Sequence, residues 1–160
     1  MTDFEALLAA LGEHEVAFIV VGGAAAIAHG SARLTQDLDI VYQRTEANLD
    51  RLATALAPWK PYLRGVPPGL PFVWSRSTLA RGLNFTLVTS LGDIDLLGEI
   101  PGGGTYEELF PNALQLQVFG TRCLCLSLAQ LIRAKRAAGR PKDLEAIAEL
   151  EAIEEESSTG

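Results

Sequence analysis

Apolar residues Phe4, Leu7, Leu8 and Leu11 recur at the i, i+3, i+4, i+7 spacing of an amphipathic helix that ends near Gly12. Val16 to Val21 reads differently: a continuous, β-branched-rich run predicts a strand covered on both faces. Gly22 and Gly23 break that run, and Ala24 to His29 predicts a short helix stopped by Gly30. A second strand is expected within Leu34–Tyr42, followed by a helix from Glu46 to Ala57 that Pro58 stops.

Further along, Phe85–Thr89 and Asp93–Leu97 form the arms of a predicted hairpin around Ser90-Leu91-Gly92. Leu114–Val118 and Arg122–Leu126 form another around Gly120. Between them, Thr105 and Glu108 have the spacing of a capping box that opens a short helix. Leu128, Leu131 and Ile132 start a helix ending at Gly139, and Pro141 takes a first-turn position in a last helix continued by Leu144, Ile147, Leu150 and Ile153. Residues 58–76 hold five prolines and two glycines without periodicity. That stretch has the length of a functional lid or of an irregular surface excursion, and no element is predicted in it. The sum is one α/β domain of the α+β type over residues 1–153, a mixed sheet flanked by helices with a C-terminal helical pair. Residues 154–160, acidic and then small and polar, read as a fraying tail.

Composition fits that picture: 160 residues, 48% hydrophobic and 21% charged, describe one soluble globular domain and exclude extensive disorder. A chain of this length buries about 70% of its unfolded surface, enough for a core without disulfides or a structural metal. The longest apolar run, Val16 to Ala28, is shorter than the roughly 20 residues of a membrane span. The N-terminus shows neither the basic cluster nor the cleavage site of a secretory signal, so the expected location is cytoplasmic, with no membrane partner. Cys123 and Cys125 would share one strand face and read as buried packing residues. With 13 Lys+Arg against 20 Asp+Glu, the net charge of −7 argues against coating nucleic acid through the overall field, though not against a local basic groove.

The chemistry-bearing pattern is Gly22-Gly23, then Asp37-Leu38-Asp39-Ile40, then Asp93-Ile94-Asp95-Leu96. Alternation on a strand puts Asp37 and Asp39 on one face, and Asp93 and Asp95 likewise. Such faces can simply be wet, as antiparallel sheets often are. Carboxylates that converge repel one another unless a cation neutralises them, and hard oxygen ligands beside a phosphate site suit Mg²⁺. Gly22 and Gly23 either let backbone N–H groups approach a phosphate or only make a tight strand-to-helix corner. Neither a P-loop nor a Gly-x-Gly-x-x-Gly fingerprint is present.

Val20-Val21-Gly22-Gly23, His29-Gly30-Ser31, Arg33, Thr35 and Asp37-Leu38-Asp39-Ile40 together resemble the nucleotidyltransferase superfamily with its polymerase-β-like fold. Within it, the chain is most similar to the small bacterial group of AbiEii-like toxins and minimal nucleotidyltransferases, over about Val16 to Ile153. The resemblance implies transfer of an NMP from an NTP to an acceptor hydroxyl. Asp37, Asp39 and Asp95 would be the catalytic, metal-binding carboxylates, with two Mg²⁺ ions, or Mn²⁺ in their place. Asp93 shares the face of Asp95, so the third carboxylate is one of these two. Gly22, Gly23, Arg33, Thr35 and Lys135 would bind the nucleotide. Many similar proteins carry Ser after the first glycine, where this chain has Gly23.

Lys135 shares the apolar stripe of Leu128, Leu131 and Ile132, which places it at the core edge or in a cleft; the resemblance implies a lysine facing the triphosphate. Arg140, Lys142 and Asp143 match a run that borders the site in similar toxins. Arg133, Arg136 and Arg140 fall on one helical face, where they would contact RNA or complement the helix dipole. His14 and His29 read as packing or capping residues, and Trp59 and Trp74 as core anchors rather than base-stacking platforms. The implied partners are an NTP and an acceptor RNA, such as tRNA, or protein, with an antitoxin or a second copy of the chain completing the cleft. Two other readings use the same residues: a non-catalytic partner-binding module of this fold, and a metal-dependent nuclease or phosphohydrolase.

Overall fold

A computed structural model describes residues 1–159, with side chains through residue 157. The chain runs α1 (Phe4–Glu13), β1 (Phe18–Val21), α2 (Gly22–Ala28), β2 (Asp37–Tyr42), α3 (Glu46–Leu56), β3 (Tyr62–Leu63), α4 (Arg76–Arg81), β4 (Phe85–Thr89) and β5 (Gly92–Leu97). It continues with β6 (Glu99–Ile100), β7 (Gly104–Thr105), α5 (Tyr106–Leu109), β8 (Leu114–Val118), β9 (Thr121–Cys125), α6 (Leu128–Ala138) and α7 (Pro141–Thr159). Side chains open the helices where free N–H groups need partners. Asp3 accepts from Ala6 N at 3.0 Å, Thr45 caps α3, and Ser127 with Gln130 forms a capping box on α6. Gly139, at φ +65°, ends α6 in the left-handed conformation.

Seven strands form one mixed sheet in the order β3-β4-β5-β2-β1-β9-β8, and β6 and β7 pair separately. The central pair, β2 and β5, is parallel, β1 runs antiparallel to β2, and β9 runs parallel to β1. All four residues of β1 are buried, as a strand covered on both faces requires. On β2 and β5 burial alternates: Leu38, Ile40, Ile94 and Leu96 are inaccessible, while the aspartates between them are half-buried. The mixed sheet flanked by helices, with two helices at the C-terminus, agrees with the fold read from the sequence.

Some details differ from the sequence reading. Helix α2 begins at Gly22 itself, so the glycine pair forms the first turn of a helix rather than a loop before it. Helix α4 (Arg76–Arg81) and the small β6–β7 pair were not expected, whereas β2, Asp37–Tyr42, falls within the expected Leu34–Tyr42. Within 58–76, Pro58 lies in a 3₁₀ turn and Tyr62–Leu63 forms an edge strand on β4. Helix α7 runs to Thr159, well beyond Ile153, because Glu154–Ser157 continue it without a break; Gly160 lies outside the described residues. No helix among the described residues is long and apolar enough to cross a membrane.

Candidate active site

The parallel register of β2 and β5 sets Asp37 opposite Asp93 and Asp39 opposite Asp95 on one sheet face. Each of Asp37, Asp39 and Asp95 offers a carboxylate oxygen within 4.8 Å of the others, a span one cation can bridge. Asp93 is outside that set and meets Arg64 Nε at 3.4 Å. Asp39 Oδ1 is buried with no hydrogen-bond partner, although orphaned buried carboxylate oxygens are costly. Burial first, and then the charges of Asp37 and Asp95, push the Asp39 carboxyl up to about 8. Burial also raises Asp95, against the opposing pull of Arg64. Three clustered oxygen ligands, one unpartnered, with mutual repulsion that a divalent ion would relieve, fit a hard cation.

Glycine is required beside this cluster. A Cβ at Gly22, where φ is +63°, would stand 2.4 Å from Asp39 Oδ2. A Cβ at Gly23 would stand 2.7 Å from Thr35 Oγ1 and 2.8 Å from Thr35 Cβ. Here Gly23 and Thr35 fit each other, and a serine at 23 would collide with Thr35. Thr35 also donates to the Asp37 carbonyl at 3.1 Å, tying the entry of β2 to that contact.

A cavity of about 150 Å³ leads away from Gly22 and Asp39 to a far wall of Leu131, Lys135, Arg140 and Asp143. Asp143 is inaccessible and organises that wall. It accepts from Arg140 Nε at 2.6 Å and Nη2 at 3.2 Å, from the Arg140 backbone N–H at 3.1 Å, and from Lys135 Nζ at 3.4 Å. The Arg140 hydrogen bonds hold the Asp143 carboxyl down at about 2, Lys135 helping by its charge. Two cations on one carboxylate leave the knot with a net positive charge, facing the acidic cluster across the cavity.

Other expected residues lie elsewhere. Arg33 does not line the cavity; its Nε is 3.7 Å from Glu149 of α7, which also accepts from Ser31 and Ala32. Lys142 is exposed on the first turn of α7 and is not part of the cavity lining. Arg133, Arg136 and Arg140 do not share a face, because the left-handed turn at Gly139 takes Arg140 off α6, while Arg136 pairs with Glu151. His29 bonds the Leu126 carbonyl and His14 the Ala10 carbonyl, both at helix ends, and Trp74 donates to Ala53. Burial pushes the thiols of Cys123 and Cys125 up to about 11 and about 12, in keeping with packing.

Arg64 escaped the sequence reading. It follows β3 in the proline-rich stretch and extends its guanidinium over β4 to Asp37, Asp93 and Asp95, at 3.6, 3.4 and 2.8 Å. A lone arginine among prolines gives no periodic signal; the pairing of Tyr62 and Leu63 with β4, which aims it, is visible only in three dimensions.

No protein-family model matches the chain. No curated protein matches it in sequence either. Its backbone is similar to a solved structure from Thermotoga maritima described as a candidate nucleotidyltransferase, with a TM-score of 0.57 and 15% identity. That likeness covers 91% of this chain and 88% of the other. What the two share is the fold.

Proposed function

We propose that the chain is a metal-dependent nucleotidyltransferase that moves an NMP from an NTP to an acceptor hydroxyl. The observation that carries this reading is the convergence of Asp37, Asp39 and Asp95 beside Gly22, at one end of a cavity whose other end is the Lys135–Arg140–Asp143 knot. Asp37, Asp39 and Asp95 would hold divalent ions, Mg²⁺ or Mn²⁺, whose charge stabilises the triphosphate and the departing pyrophosphate. Lys135 and Arg140 supply fixed positive charge for the phosphate tail, and Gly22 keeps the approach to Asp39 free of side chain. The acceptor oxygen bonds to the α-phosphorus as the bond to the β-phosphate bridging oxygen breaks. The acceptor's proton goes to Asp95, the carboxylate that β5 brings beside Asp37 and Asp39. Arg33, Thr35 and Lys142 lie outside the cavity lining; Thr35 positions Gly23 and the start of β2.

The acceptor is RNA, such as tRNA, or protein, and the chain is read as an ATP- or other NTP-using toxin, with an antitoxin or a second copy as partner. Incubation with each α-labelled NTP, Mg²⁺, total RNA and a cell lysate tests this. Label on RNA or protein with wild type, but not with Asp37→Ala/Asp39→Ala, supports the reading and names the acceptor class. Hydrolysis of phosphodiesters without NTP would favour the nuclease reading instead. One observation favours the non-catalytic module: Arg64 already pairs with three of the carboxylates. A chain that neither transfers label nor binds NTP with Mg²⁺ would be that module.

A further inference from the structure

Arg64 lies in none of the motifs, yet its guanidinium stands against three carboxylates at the acidic cluster. We propose that Arg64 is a resident counter-cation that holds one of two cation positions, so the site takes a single divalent ion while the arginine is in place. This deepens the metal-site reading above and rests on it.

The first support is placement. Nη1 is 3.6 Å from Asp37 Oδ2, Nε is 3.4 Å from Asp93 Oδ2, and Nη2 is 2.8 Å from Asp95 Oδ1. The second is anchorage. Nη2 donates to the Leu87 carbonyl at 2.7 Å, and the Arg64 backbone N–H donates to the Thr86 carbonyl at 3.0 Å, so β4 aims the side chain across the sheet face. The third is partition. Among the described residues Arg64 has no ion pair with Asp39, whose Oδ1 is buried without a hydrogen-bond partner and whose Oδ2 is the oxygen beside Gly22. The fixed positive charge therefore meets Asp37, Asp93 and Asp95, and Asp39 is the one carboxylate of the cluster left without an ion pair to it.

A guanidinium is planar and permanently charged, so it satisfies carboxylates as a cation does, and it repels a divalent ion brought to the same oxygens. It cannot bridge carboxylate and phosphate oxygens by coordination. The Arg64 side chain is 26% exposed, so solvent reaches the guanidinium from one side.

Mn²⁺ titration of the full chain, with free Mn²⁺ followed by electron paramagnetic resonance, tests the proposal without reference to activity. The expected results are one Mn²⁺ per chain for wild type and Arg64→Lys, and two for Arg64→Gln, with the first at least tenfold tighter. Two ions on wild type would overturn the proposal whatever the variants do. Equal number and affinity on wild type and Arg64→Gln, lost with Asp39→Asn, would also overturn it while leaving the metal site standing. No Mn²⁺ on wild type or Arg64→Gln would overturn the metal-site reading itself, and this proposal with it.

Discussion

Asp39 occupies a position where a carboxylate is stable as an anion only in company with a cation. Its raised pKa has a consequence for stability. Between about pH 4 and pH 8 the unfolded chain holds Asp39 ionised, while the metal-free folded chain keeps it protonated. The unfolded state thus binds fewer protons, and stability falls as pH rises through that window. Urea unfolding in chelator should show a loss of about 2–4 kcal/mol from this group between pH 5 and pH 8. Asp39→Asn should flatten that slope and be the more stable protein at pH 8. Asp143 has the opposite sign. Its depressed pKa makes a contribution that is present above about pH 4 and disappears as pH falls through about 2. Arg140 is 57% exposed, so the pair is screened. Asp143→Asn should therefore cost about 1 kcal/mol at pH 7, and nothing below pH 2, in the same measurement.

At the scale of elements, the β1–α2 corner and the start of β2 are fitted to one another. Gly23→Ser should force Thr35 aside and cost about 1–3 kcal/mol by thermal unfolding. Gly22→Ala should do more than destabilise. Its Cβ would be driven into the Asp39 carboxylate, so Mn²⁺ affinity should fall with stability, whereas Gly23→Ser should leave the first Mn²⁺ nearly intact. Much of this region was legible in the sequence, because the cause is local: strand alternation alone puts Asp37 and Asp39 on one face and Asp93 and Asp95 on another. That the two faces are one face depends on the parallel pairing of β2 with β5, which no local pattern encodes. Arg64 was invisible for the same reason, being aimed by edge-strand pairing within a stretch that has no periodicity. Arg140 was placed on the wrong element because a helical wheel carried through Gly139 ignores the left-handed turn there.

Across the whole molecule, the sheet and the C-terminal helices divide opposite charges between the two ends of one cavity. The acidic end comes from β2 and β5, near the middle of the sheet, and the basic end from the junction of α6 and α7. Such a division suits a ligand that carries a cation at one end and phosphates at the other, and it makes binding of each conditional on the other. The −7 net charge does not oppose this, since a metal-complexed triphosphate would meet the local groups and not the distant surface. The most direct test is the melting temperature of the intact chain with a non-hydrolysable NTP analogue, alone, with Mg²⁺, and with Mg²⁺ and Asp37→Asn/Asp39→Asn protein. At about 100-fold excess over Kd, binding should add about 2.7 kcal/mol and raise Tm by about 5–11 °C, only when analogue, Mg²⁺ and both aspartates are present. A rise of the same size without Mg²⁺, or in the double variant, would contradict a metal-nucleotide site at Asp37 and Asp39, as would no rise in wild type.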